Sequence, residues 1–174
     1  MRSLTSRPWV LVFVSGLVAG VVAEASLSFF RLANPKALPL EEFTGSLFLR
    51  QPGIGTMMLG TMVLILLSGL GAFIYAAIFK YLLRGAGGVG LGVIFGWLHS
   101  LASGFALGWF SDLGSGVRAP GYFGLEWGAE PATALMLAPV IYGAIVGVAY
   151  ERIQRSASVT RLEIQPPERH KKAA

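Results

Sequence analysis

Four long apolar stretches, at about 8–30, 55–78, 89–110 and 131–150, hold almost no charged residue. Each is near or above the ~20 apolar residues that an α-helix needs to cross a hydrocarbon core of about 30 Å. Lipid offers no hydrogen bonds to a bare backbone, so such stretches are restricted to helices. A chain with 54% apolar and only 13% charged residues also falls outside the composition of soluble domains. The predicted fold is all-α and polytopic, with four transmembrane helices in a compact bundle over residues 1–155. A basic and largely disordered tail is expected over 156–174, where the chain turns polar and carries Pro166-Pro167.

The span ends carry their own signals. Pro8 suits a helix start and Trp9 an interface anchor, while Arg31 and Asn34-Pro35 form a stop. Arg2, Arg7, the apolar run that follows and Ala23-Glu24-Ala25 also fit a cleavable secretory signal. A retained span accounts better for the continuing apolar Leu27, Phe29 and Phe30. The connection at 32–54 is rich in Pro and polar residues, and its 38–48 part is apolar enough to lie along the interface as a short amphipathic segment. Lys80, Tyr81 and Arg84 close the second span, and the glycines of 85–88 make a tight turn. Glu130-Pro131 opens the fourth span and Pro139 is expected to kink it.

Lys and Arg set the orientation. Arg2, Arg7, Lys80, Arg84, Arg152, Arg155, Arg161, Arg169, Lys171 and Lys172 share one side, against Arg31, Lys36, Arg50 and Arg118 on the other. Ten against four places both termini and the 80–84 turn in the cytoplasm, the orientation of a multi-pass protein of a bacterial cytoplasmic membrane. The basic residues mark helix ends and a tail rather than one folded face, so nucleic acid is not an expected partner despite a pI near 9.9. The absence of Cys removes disulfides, thiolate metal sites and cysteine nucleophiles.

The most regular pattern is a ladder on the third span, Gly88, Gly92, Gly96, Ser100, Gly104 and Gly108, with Gly16/Gly20 and Gly143/Gly147 at the same spacing on the first and fourth. Four residues advance an α-helix by about 400°, so the ladder favours a close, oblique crossing of the small-xxx-small kind. Such a surface serves either a compact bundle or a docking face. It underlies the first functional expectation, a non-enzymatic accessory subunit that packs as a homo-oligomer or within a larger membrane complex.

Glu24 and His99 lie inside spans, where ionisable groups are costly and therefore functional candidates. Glu24 continues the Gly16, Gly20 row and should face a helix interface. With Tyr75, Ser103 and Tyr142 as hydroxyl partners, the two suggest a proton or cation relay, the second expectation being a small-solute or ion transporter. The third is a chlorophyll-type pigment or haem held by His99, whose small neighbours leave room for a flat macrocycle. Glu41, Glu42, Asp112, Glu126 and Glu130 fall on the non-cytoplasmic side, where they read as solvated loop acids, with the gathering of cations at that mouth as the alternative role. Enzyme signals are lacking: there is no H-E-x-x-H spacing, no nucleophile elbow and no strand before the Gly85–Gly92 glycines, and no metal or other cofactor is expected.

Leu49-Arg50-Gln51-Pro52 before the second span, Tyr75 near its end, the run Ile141-Tyr142-Gly143-Ala144-Ile145-Val146-Gly147 and Tyr150-Glu151 stand in an order that resembles the YqhR-like conserved bacterial membrane proteins. The resemblance covers most of 10–152 and implies a four-helix inner-membrane protein, with no activity attached. The orientation is tested with protease: cleavage at the 80–84 turn is expected in inverted membrane vesicles and not in intact cells.

Overall fold

The structure is a computed structural model that describes residues 7–33, 39–79, 88–114 and 116–164. It contains helices α1 (Arg7–Ala33), α2 (Leu40–Ser46), α3 (Ile54–Ala77), α4 (Val89–Phe110) and α5 (Ala129–Ile164), with short 3-10 turns at Ser111–Leu113 and Tyr122–Trp127 and no strand among the described residues. The segments Trp9–Leu32, Ile54–Ala77, Val89–Leu113 and Ala129–Ser156 are long and apolar enough to span a membrane. Only 22–44% of each is buried inside the bundle. The outward faces carry Val14, Val18, Leu66, Leu70, Leu98, Leu101 and Phe105, an apolar girdle that lipid solvates and water would not. The chain is an integral membrane bundle.

The spans alternate in direction, giving a loop end with the 33–54 and 111–128 connections and a turn end where α1 and α4 begin. In cross-section the helices run in the order α3, α1, α5, α4. The α3 and α4 backbones barely approach, and that side is joined by side chains, with the Tyr75 ring edge-on to Phe95 at 5.2 Å.

Glycine sets the α4–α5 seam. Gly88 and Gly92 lie against Gly147 and Gly143, Gly96 against Pro139 and Val140, and the Ser100 hydroxyl donates 2.7 Å to the Met136 carbonyl. A Cβ on Gly96 would stand 2.5 Å from the Pro139 carbonyl oxygen and 2.6 Å from the Val140 Cα, both backbone atoms that cannot swing aside. Close backbone approach replaces the water-driven attraction that two helices lack in lipid. The α1–α3 seam follows the same logic, because a Cβ on Gly16 or Gly20 would meet the Cβ of Ala72 or Ser68 at 2.6 Å.

The upper rungs of the ladder are filled differently. The rings of Phe123 and Tyr122 occupy the space beside Gly104 and Gly108. To bring them there the 111–128 connection turns back on itself at Phe123 (φ 57°) and Gly124 (φ 74°). A left-handed Phe costs roughly 1–2 kcal/mol, offset by seating its ring against α4 and Phe105 (5.1 Å). The ladder from Gly88 to Gly108 is thus occupied from within the chain.

Two regions depart from the sequence reading. The 38–48 segment, expected as an amphipathic stretch along the interface, forms α2, which packs into the loop end of the bundle with Leu40, Glu41, Phe43, Thr44, Gly45 and Ser46 buried. Its Gly45 rests on the Thr56 backbone and its Glu41 carbonyl on Gly60, leaving no space for a side chain at either glycine. Gly60 lies six residues into α3, about 9 Å along its axis, so the first turn of α2 is the part packed farthest along α3. At the other extreme α5 stays helical to Ile164, past the expected start of the tail at 156. Residues 1–6, the 80–87 part of the expected turn, and 165–174 lie outside the described residues.

Gly96→Leu and Gly104→Leu are expected to destabilise the bundle by about 3 kcal/mol or more, since backbone or ring atoms occupy the space. Gly90→Ala, with nothing within 4 Å of the added carbon, should stay within about 0.5 kcal/mol of the parent. Thermal unfolding in mild detergent compares the three.

Candidate functional site

Glu24 lies eight residues before Leu32 on α1, about 12 Å in from the end of the span. Arg31 follows it by seven residues, two helical turns, and therefore shares its face. Because α2 is inserted at that level, it brings a second carboxyl to the same place. Arg31 Nη2 donates to Glu41 Oε2 in an ion pair whose acid is only 5% exposed. The Glu24 carboxyl faces that of Glu41 closely enough to share a hydrogen bond. Around these groups the packing is apolar, from Leu27 on α1, Leu40 on α2, Leu64 on α3, and Ala134 and Ala138 on α5. Glu41, read from the sequence as a solvated loop acid, is instead an interior group.

The charges constrain the chemistry. Two carboxylates and one guanidinium sum to minus one, and two carboxylates facing each other in apolar surroundings repel strongly. One proton in the pair makes the set neutral and supplies the hydrogen atom that a carboxyl–carboxyl contact needs. Two atoms of the set are buried without a partner among the described residues, Oε2 of Glu24 and Nε of Arg31. No group of three or more acidic or histidine side chains among the described residues is placed to hold a metal ion.

The structure separates the other candidates from Glu24. The His99 imidazole lies beside the rings of Phe95 (6.1 Å) and Tyr142 (5.8 Å), and no hydrogen bond or ion pair joins it to Glu24. Its small neighbours Gly92 and Gly96 are covered by the α5 backbone, which occupies the room that a macrocycle would need on that face. Ser103 turns back on its own helix, donating to the His99 carbonyl at 2.8 Å. Tyr142 is a strut between helices: its hydroxyl donates to the Ser68 carbonyl across the bundle at 2.5 Å. Tyr75, 0% exposed, stacks on Phe79 (4.2 Å) and meets Phe95 and Tyr150 edge-on, with its hydroxyl toward the Gly88 backbone. It belongs to an aromatic core at the turn end.

Sequence reasoning found Glu24 and missed its partners. Arg31 was legible only as a stop signal and Glu41 only as a loop acid, although an apolar 38–48 segment between them was a sign that the loop is not wholly solvated. None of the protein-family models, curated proteins or solved structures matches this chain.

Arg31→Ala leaves the Glu41 carboxylate buried without its counter-ion, and is expected to cost about 3–5 kcal/mol. Pairing it with Glu41→Gln should restore much of that loss, giving a coupling energy well above 1 kcal/mol in a double-mutant cycle. Equal, additive losses in chemical or thermal unfolding would show that the two side chains do not act as a pair.

Proposed function

We propose that this chain is a small proton-handling transporter of a bacterial cytoplasmic membrane, in which Glu24 and Glu41 bind and release one proton beside the fixed charge of Arg31. The observation that supports the reading is the meeting of two carboxyls and one guanidinium in the interior of a four-span bundle. Intramembrane ionisable groups are rare and mark ion or proton pathways far more often than chance allows. A pair of acids that shares a proton also has two defined charge states, neutral and minus one, as a carrier of a single proton requires. The Lys and Arg distribution supports an orientation with the termini in the cytoplasm and the loop end, with this site, toward the outer face.

The accessory-subunit reading has less support than the sequence offered. It depended on the glycine ladder as a free docking surface, and that surface is filled by α5 and by Tyr122 and Phe123. Association with a second copy or a larger complex would have to use the outer apolar faces, which lipid satisfies equally well.

Purified protein in liposomes with a trapped pH-sensitive dye tests the proposal. Proton uptake driven by an imposed gradient is expected for the parent and for His99→Ala, and Glu24→Gln is expected to fall to the level of protein-free liposomes. Uptake by Glu24→Gln at the parent rate, with the variant folded, would remove the reading.

A further inference from the structure

Two features of the same site define how a proton reaches it, an inference that rests on the proton-handling reading above. The first is the pair of unpartnered atoms, an acceptor on Glu24 and a donor on Arg31, both fully buried. A buried donor and a buried acceptor each forfeit roughly 1–3 kcal/mol when left unmatched, and a water molecule is the small ligand that accepts from one and donates to the other. The second is a difference in sealing between the two directions from Glu24. Toward the turn end, Gly16, Ala19 and Gly20 of α1 close on Ser68, Gly69 and Ala72 of α3 with no space for even a methyl group at the glycines. Beyond them Tyr75, Phe79, Phe95 and Tyr150 fill the interior. Toward the loop end the Arg31 side chain, paired with Glu41, is 24% exposed and so opens the site to the surface of the bundle.

We propose that a water molecule held between Arg31 Nε and Glu24 Oε2 is the binding site through which the carboxyl pair exchanges its proton with the loop end, while the turn end is closed in this conformation. The step balances simply. The protonated pair gives its proton to the water, leaving two carboxylates and a hydronium ion, and the hydronium passes its extra proton to solvent along Arg31. The charged groups that face Glu24 are Glu41 of α2 and Arg31 of its own helix; the residues packed at this level from α3 and α5, Leu64, Ala134 and Ala138, do not titrate. Arg31 acts here as a positioning residue, holding Glu41 with one nitrogen and the water with another.

Lysine separates those two tasks, because its three N–H donors sit on one terminal nitrogen that pairs with Glu41, and it has no N–H at the Nε position that would hold the water. Infrared difference spectroscopy on the full-length protein in liposomes, after transfer from H2O to D2O, reads the C=O stretch of the protonated carboxyl and its exchange rate. The parent is expected to show the band and exchange it rapidly; Arg31→Lys is expected to keep the band and exchange about tenfold more slowly, the loss of one charge-assisted hydrogen bond. Glu24→Gln is expected to lose the band. A band that survives Glu24→Gln overturns the proton-sharing pair itself; a lost band together with parent-like exchange in Arg31→Lys overturns only the water route. Should Arg31→Lys fail to fold, an experimental structure of the parent that resolves ordered waters decides: density bridging Arg31 Nε and Glu24 Oε2 supports the route, and a direct contact between those atoms or an unbridged gap overturns it.

Discussion

Close backbone-to-backbone packing is the condition on which the rest of this bundle depends. Helices in lipid are not pressed together by water, so their association rests on van der Waals fit and interhelical hydrogen bonds. Along the α4–α5 seam, glycine and serine at every fourth position of α4 bring Gly92 onto Gly143 and Gly96 onto Pro139, and Ser100 adds a hydrogen bond to Met136. Four residues exceed one helical turn by about 40°, which is why a row with this spacing winds slowly round α4. Its first rungs meet α5, and its last, Gly104 and Gly108, have come round to the 111–128 connection.

The same device explains how a polar segment survives below the membrane surface. Irregular backbone at that depth is tolerated only where protein surrounds it. Gly45 and Gly60 let α2 lie directly on the α3 backbone, and Phe43 and Trp127 close over it with their rings 6.1 Å apart. The buried Glu41 would be untenable there alone, and Arg31 supplies its counter-charge. Burial of the acid and insertion of the helix are therefore one arrangement: the glycines permit the depth, and the ion pair compensates it.

How much of this was legible varied with how local the signal was. The spans and the four-helix class follow from runs of apolar residues, a property of consecutive positions, and their observed limits differ from the sequence reading by a few residues except where α5 continues to Ile164. The ladder was visible as a spacing, but a spacing does not say what fills it, and its last two rungs, Gly104 and Gly108, are covered by Phe123 and Tyr122 from a loop with no periodic signal. His99 and Glu24 were both visible as charged-type residues in apolar runs; their separation was not, because axial counting gives height along a helix and not the direction each side chain takes round it. Glu41 was hidden for another reason. A glutamate in a Pro-containing connection reads as solvated, and only the tertiary fit of Gly45 on Thr56 and of Glu41 on Gly60 takes it out of water.

The two ends of the bundle therefore solve the same problem with different chemistry. At the turn end the interior is filled by stacked and edge-on rings, whose packing leaves little reason for water to enter. At the loop end the interior holds two acids and a base, a set that is neutral only when the two acids share one proton. A structural staple needs only one acid and one base, and Arg31 with Glu41 already provides it. Glu24 is the surplus carboxyl: it adds repulsion that packing does not require, at a position where glutamine would hydrogen-bond Glu41 without any charge to manage. An ionisable group there gains nothing for folding from its ability to ionise, and that ability is what the proton-handling proposal draws on.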